Sequence, residues 1–141
     1  MEAIISGIDN SLIYVSRERI PPPSDEAAIA EIVTVSRARN ATLGVTGTLV
    51  STRDYFAQIL EGPSEAIDAL MDSIHRDLRH DHVTVLRIWP IAQRSFAGWS
   101  MAYSGTSNYL ARHIGPLLDG GVAPDDVRIS RLIGVMTGLT R

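Results

Sequence analysis

Tyr14, Ser16, Asn40 and Gln58 are the residues whose types and settings could do chemistry. A phenol O–H is a proton donor that can also yield an electron. A glutamine amide presents a donor on one side and an acceptor on the other, so it can bridge two polar partners. Gln58 sits in the alternating run YFAQILE, facing the same way as Phe56 and Leu60. An amide aimed at a core costs free energy unless it finds partners. Tyr14 is aimed from the run SLIYVS, alongside Ser16. On neighbouring strands the two would hydrogen-bond each other, and each would otherwise leave an unmet polar group costing about 1–3 kcal/mol. Such a pair is consistent with a structural tie between strands. The competing reading is a relay that ends on a bound planar heterocycle.

Other chemistries find little support. The chain carries no G-x-G-x-x-G, no G-x-x-x-x-G-K-[ST] and no G-x-S-x-G, so dinucleotide, P-loop and nucleophile-elbow sites are not encoded. Cysteine is absent and every basic residue is Arg, which excludes disulfides, thiolate ligands and Schiff-base lysines. His80 and His82, two apart around Asp81, are a weak metal motif. His75 and His113 fall on helix surfaces, and Asp72 and Asp77 read as helix-surface charges rather than a catalytic carboxylate pair.

The elements that must position these side chains follow from periodicity. Residues 11–16 alternate with apolar bulk on both faces, which predicts a central strand. Pro21, Pro22 and Pro23 then make a linker. Ser24 is a helix N-cap, Asp25 and Glu26 lie in the first turn, and Arg37 and Arg39 in the last. Ile29, Ile32, Val33 and Ser36 share a helical face, and Asn40 ends the helix as a cap. Leu43 to Leu49 is read as the second strand, with Gly44 and Gly47 leaving room for a close neighbour or a bulge. Ser51 to Asp54 turn into a third strand, Tyr55 to Glu61. Pro63 opens a second helix whose stripe is Ile67, Leu70, Met71 and Ile74. Val83 to Trp89 is a fourth strand, ended by Pro90. Trp99 to Ser104 is a fifth, with Trp99, Met101 and Tyr103 on one face. Two amphipathic helices follow, separated by Gly120-Gly121. Leu110, Ile114, Leu117 and Leu118 mark the first; Ile129, Leu132, Ile133, Met136 and Leu139 mark the second.

The order β-α-β-β-α-β-β predicts an α+β, ferredoxin-like sheet with two helices on one face. The C-terminal pair is apolar enough to cover the other face. The chain of 141 residues, 45% hydrophobic and 21% charged with net charge -3, suits one domain and gives no electrostatic footprint for nucleic acid or an anionic membrane. No run approaches the roughly 18 apolar residues of a membrane helix. The start MEAIISGIDN lacks the basic opening of a signal peptide, so a cytoplasmic location is expected.

Six motifs in order carry a family resemblance: LIYVSR at 12–17, SRARN at 36–40, VTGTL at 45–49, FAQILEGP at 56–63, DLRH at 77–80 and RSFAGWSM at 94–101. Over roughly residues 10–104 the chain resembles the BLUF domain, a blue-light sensor that uses flavin. The resemblance implies a non-covalent FAD, with FMN or riboflavin as alternatives, held between the first two helices. Tyr14 falls on the photoactive tyrosine and Gln58 on the switching glutamine that contacts the flavin. Asn40 falls on the asparagine at the ring's polar edge, and Ser16 and Ser36 on smaller polar positions nearby. Ile32 and Ile74 fall on the aliphatic pair that sandwiches the ring. Asp77, Arg79 and His80 fall on the group near the ring edge and the ribityl-phosphate tail. Trp99 and Met101 fall on the strand-five pair that relays the signal. Arg39, at a position that varies in the family, receives no role.

The physics of that arrangement stands beside the resemblance. A ring stacked between aliphatic side chains is desolvated, so its polar edge needs donors and acceptors such as Asn40 and Gln58. An excited flavin is a strong oxidant, and a neutral tyrosine can supply an electron and a proton. Rotating or tautomerising the Gln58 amide inverts its donor–acceptor pattern, a bistable change of the kind switches need.

The expected organisation is a photosensor core, residues 1–104, and a helical cap, 105–141, within one domain. The chain leaves no room for a cyclase, phosphodiesterase or kinase, so output is expected to pass to a separate effector protein or through a change in a homo-oligomer. Two rival readings are a light-insensitive ferredoxin-like binding module and an acylphosphatase-like hydrolase gripping phosphate with Arg39 and Asn40. The proline linker argues against the second, because no glycine-rich anion loop precedes the first helix.

Overall fold

A computed structural model describes residues 8–21 and 24–140 of the chain. Pro22 and Pro23 of the expected linker, and the opening residues weighed for a signal peptide, lie outside the described residues. The strands are β1 (Asp9–Glu18), β2 (Thr46–Ser51), β3 (Tyr55–Gly62), β4 (His80–Ile91) and β5 (Trp99–Ser104). The helices are α1 (Asp25–Leu43), α2 (Ser64–Arg76), α3 (Asn108–Ile114) and α4 (Val127–Leu139), with a 3-10 turn at Gly115–Leu117.

The sheet runs β4-β1-β3-β2-β5. β1 is antiparallel to β3 and β4, and β2 is antiparallel to β3 and parallel to β5. The first four strands with α1 and α2 are the ferredoxin-like unit expected from the element order. Alternation along each strand sends side chains to two cores. Leu12, Tyr14, Phe56 and Leu60 meet Ile29 of α1 and Ile67, Leu70, Met71 and Ile74 of α2. Ile13, Val15, Ala57 and Ile59 meet Leu110, Ile114 and Leu117, and Ile129, Leu132 and Met136 of α4. The C-terminal helices thus cover the second face of the sheet, and β1 and β3 are buried on both sides. Burying each such aliphatic side chain contributes about 1.5–3 kcal/mol.

Four expectations are corrected. α1 runs past Asn40 to Leu43 and stops at Gly44, whose φ of 69° is the left-handed conformation glycine adopts readily. Asn40 is therefore a side chain in the body of the helix, not a cap. Arg37 and Arg39 do not fall in the last turn, so they add nothing to the helix dipole there. β4 continues through Pro90, which pairs with Asn10. An edge strand tolerates proline because its missing N–H can face solvent. Tyr103 packs in the core under α4, opposite to Trp99 and Met101. The cause is a register shift: Leu49 pairs with Met101 but Val50 with Tyr103, so the bulge at Ala102 reverses the facing of all that follows.

Candidate functional site

The site forms between α1, α2 and the sheet because α1 does not close over it with an apolar stripe. Ile32, Ser36 and Asn40 stand four apart on one face of α1, and Ser36 and Asn40 are both buried there. α2 presents only apolar residues to the sheet, with Ile74 at its end. The gap is a cleft with about 560 Å³ of space free of atoms, part of it open solvent. Tyr14, Ile32, Ser36, Gln58, Ile74, Asp77, Arg79 and His80 line it. Val35, Arg39, Leu49, Phe56 and Ser73 line it too, and the resemblance had given none of them a flavin-binding role. Phe56 and Leu49 share their strand faces with Gln58 and Met101, so alternation could have placed them there.

Tyr14 and Gln58 are cross-strand partners in the β1–β3 register. Gln58 Nε2 donates to the Tyr14 hydroxyl at 2.6 Å, and Gln58 Oε1 accepts from Trp99 Nε1 at 2.9 Å. The indole N–H can only donate, so it dictates which end of the amide faces it. The nitrogen is then left for the phenol, whose own proton is free to be donated elsewhere. Burial pushes the Tyr14 hydroxyl far above the ordinary tyrosine range, opposed by its bond from Gln58. The phenol is therefore neutral and carries its proton throughout the physiological range.

The other predicted residues cluster around this chain of contacts. Ser16 Oγ lies 2.7 Å from His80 Nδ1, and His80 Nε2 lies 2.6 Å from the Ile74 carbonyl. A carbonyl only accepts, so Nε2 carries the ring proton and a neutral ring takes the Ser16 hydroxyl hydrogen at Nδ1. The His80 ring stands edge-on to Tyr14, centroids 6.2 Å apart, and to Phe56 at 5.9 Å. Asp77 binds the Arg79 guanidinium at 2.6 Å, and Arg79 also reaches Glu31. Met101 is half-buried and packs beside the same core. Ser16, Asn40, Trp99 and Met101 stand outside the lining. Ser16 and Trp99 reach it through His80 and Gln58, and Asn40 shares the face of α1 that bounds it.

The Arg79 guanidinium holds the Asp77 carboxyl below the usual range, with a further bond from the Arg79 backbone. A depressed folded-state value stabilises the fold above the unfolded value, near pH 4, and the contribution is lost as pH falls through the folded value. Asp77→Asn is therefore expected to lower Tm by a constant amount above about pH 4 and by a vanishing amount in stronger acid. Paired thermal melts across that range check it.

Two buried polar atoms in this region have no partner among the described residues: Asn40 Oδ1 and Arg39 Nε. Such atoms are rare in finished protein interiors. With aliphatic walls at Ile32 and Ile74 and the Gln58 amide between, they suit a flat apolar ring that brings its own polar edge. A flavin has that chemistry. Arg39 and Asn40 lie in the body of α1, with Arg39 Nη1 3.4 Å from Ser73 Oγ, and so do not form a phosphate-gripping loop.

Residues 10–102 match the family model described as "BLUF: Sensors of blue-light using FAD". The chain belongs to the BLUF family. BLUF domains are sensory modules that respond to blue light through a flavin. Photoactivated adenylate cyclase subunit beta of Euglena gracilis is 33% identical over 90 residues, covering 64% of this chain and 10% of that protein. Subunit alpha from the same organism is 32% identical over 97 residues, covering 69% and 10%. The chain thus spans a tenth of the length of these curated relatives. The dark-state structure of the BLUF protein BlrB superposes with a TM-score of 0.68 at 35% identity, covering 91% of this chain and 96% of that one. The photo-activated state of BlsA, at 23% identity, shares the fold with a TM-score of 0.73, covering 92% and 94%. BlrP1 of Klebsiella pneumoniae matches with a TM-score of 0.64 at 30% identity, over 92% of this chain and 34% of that one. No helix among the described residues is long and apolar enough to cross a membrane.

Proposed function

We propose that this BLUF chain senses blue light by reorienting one amide, that of Gln58, between two hydrogen-bonding patterns. The observation that carries the reading is the position of that amide, shared between the Tyr14 hydroxyl and the Trp99 indole. FAD is the proposed cofactor, with FMN or riboflavin fitting the same cleft. Ile32 and Ile74 would stack on the ring, Asn40 and Gln58 would meet its polar edge, and Ser36 would stand beside them. Asp77, Arg79 and His80 would lie by the ring edge and the ribityl-phosphate tail. When bound, the flavin supplies blue-light absorption and, once excited, a strong one-electron oxidant.

The residues of the chain supply the rest. Tyr14 holds a proton at Oη and can release it with an electron. Ser16 fixes the His80 ring that packs on Tyr14, and so keeps the phenol in place. Gln58 can turn end for end about its terminal torsion, bringing Oε1 to the phenol and Nε2 to the indole. In that arrangement two N–H groups face each other, and Trp99 must move. The amide thus has two states, and Trp99, with Met101 beside it on β5, reads which one is present. Tyr14→Phe is expected to keep the bound flavin and its dark spectrum while losing the light-induced absorption shift, because the ring remains but the donor is gone. A normal shift in that variant would overturn the reading.

The proposed division is a photosensor core, residues 1–104, with a helical cap, 105–141, in one domain. Output passes from β5 and the cap helices to a separate effector protein in the cytoplasm, or to other copies in a homo-oligomer. The cap supports this because Tyr103, two residues past Met101, packs beneath it.

A further inference from the structure

Trp99 can report the state of Gln58 only if something fixes where β5 begins, and the ladder to β2 starts only at Trp99 itself, paired with Gly47. Gly47 N donates to Gly98 O at 3.0 Å, and β2 pairs with β5 for three residues before the register shifts. The loop ahead of that ladder is held by Glu61, near the end of β3 and 2% exposed. Its carboxylate accepts from three donors on two different segments. Thr46 Oγ1 on β2 donates at 2.8 Å, Ser95 N at 2.7 Å and Phe96 N at 3.2 Å. Ser95 and Phe96 belong to the β4–β5 loop that leads into Trp99. Arg94, beside them, donates to the Gly44 carbonyl at 2.8 Å and to Asp9 at 2.8 Å, tying the same loop to the end of α1 and the start of β1.

We infer that Glu61 is the positioning residue for the light response, the anchor that sets the entry of β5 and so holds Trp99 within reach of Gln58. Gln58 and Glu61 stand three positions apart on β3, and they face opposite sides of the sheet. One strand therefore carries both the switching amide and the clamp on the segment that reads it. All three hydrogen-bond partners of the carboxylate donate to it, and they are shared over both of its oxygens. A glutamine there turns an N–H towards one of those donors, and the loop must give way. This role rests on the proposed Gln58 switch for its meaning, while the contact it controls is the Trp99–Gln58 bond of the structure itself.

The test reads the Trp99 indole directly. The chain has two tryptophans, Trp89 and Trp99, so two indole N–H resonances are expected and Trp99→Phe assigns them. In the flavin-bound protein kept dark, Glu61→Gln is expected to shift or split the Trp99 resonance and leave that of Trp89 in place. Thr46→Val, which removes one donor and keeps the carboxylate, is expected to move the Trp99 resonance less in the same direction. It also serves if Glu61→Gln does not fold. Dark recovery after a blue flash is expected to change about tenfold or more in Glu61→Gln, the size of one lost hydrogen bond to a charged group. An unmoved Trp99 resonance in the folded variants would overturn the inference, even if melting temperature falls. Because the resonance is measured in the dark, its response is independent of whether the wild type shows a light-induced shift.

Discussion

Gln58→Leu is expected to bind flavin and to show no light-induced absorption shift at all. Leucine matches the volume of glutamine closely and sits among Phe56, Leu60 and Leu49, so the cleft wall survives. The buried amide it replaces has two partners, the Tyr14 hydroxyl and the Trp99 indole, and both lose their contact. Each unmet group costs about 1–3 kcal/mol, so some loss of stability accompanies the loss of function. The functional loss is expected to be complete because, among the described residues, Gln58 alone bonds both phenol and indole. Absorption spectra before and after blue light separate the two effects. Retained flavin bands with no shift is the expected result, and an ordinary shift would remove Gln58 from the mechanism.

Gly47→Ala is expected to be the most damaging glycine-to-alanine change among the described residues, costing more than about 4 kcal/mol or preventing folding. A Cβ at Gly47 would lie 2.0 Å from the carbonyl oxygen of Ile59, part of the backbone of a fully enclosed strand. Its φ of 153° is also one that L-residues rarely adopt. Neither β3, packed on both faces, nor β2 can move away. Gly44→Ala makes the contrast: φ there is 69°, but nothing lies within 4 Å of the added atom. It is expected to cost only the left-handed strain, on the order of 1–2 kcal/mol. Urea unfolding of the two variants orders them.

Much of this was legible in the chain of residues because alternation is a strong signal. It assigned Tyr14 and Gln58 to one face of adjacent strands, and that alone makes them meet once β1 pairs with β3. The stripe Ile67, Leu70, Met71 and Ile74 placed α2 equally well. The misreadings share a cause, which is that the deciding interaction was distant or local geometry outweighed type. Asn40 looks like a cap by type, yet Gly44 takes the left-handed position and Asn40 faces inward. Tyr103 follows the alternation of Trp99 and Met101 until a bulge reverses it. Pro90 breaks a central strand but not an edge one, and edge position is a property of the sheet. The Glu61 clamp left no trace in the sequence, since two of its three donors are backbone groups more than thirty residues away. The orientation of the Gln58 amide needed Trp99, brought from the far edge of the sheet, to be settled at all.

The most direct measurement is the absorption spectrum of the purified, flavin-loaded wild-type chain in the dark, after blue light, and again after dark recovery. A small red shift that appears with light and reverses in the dark is the predicted result. A flavin spectrum that light leaves unchanged would contradict the Gln58 switch.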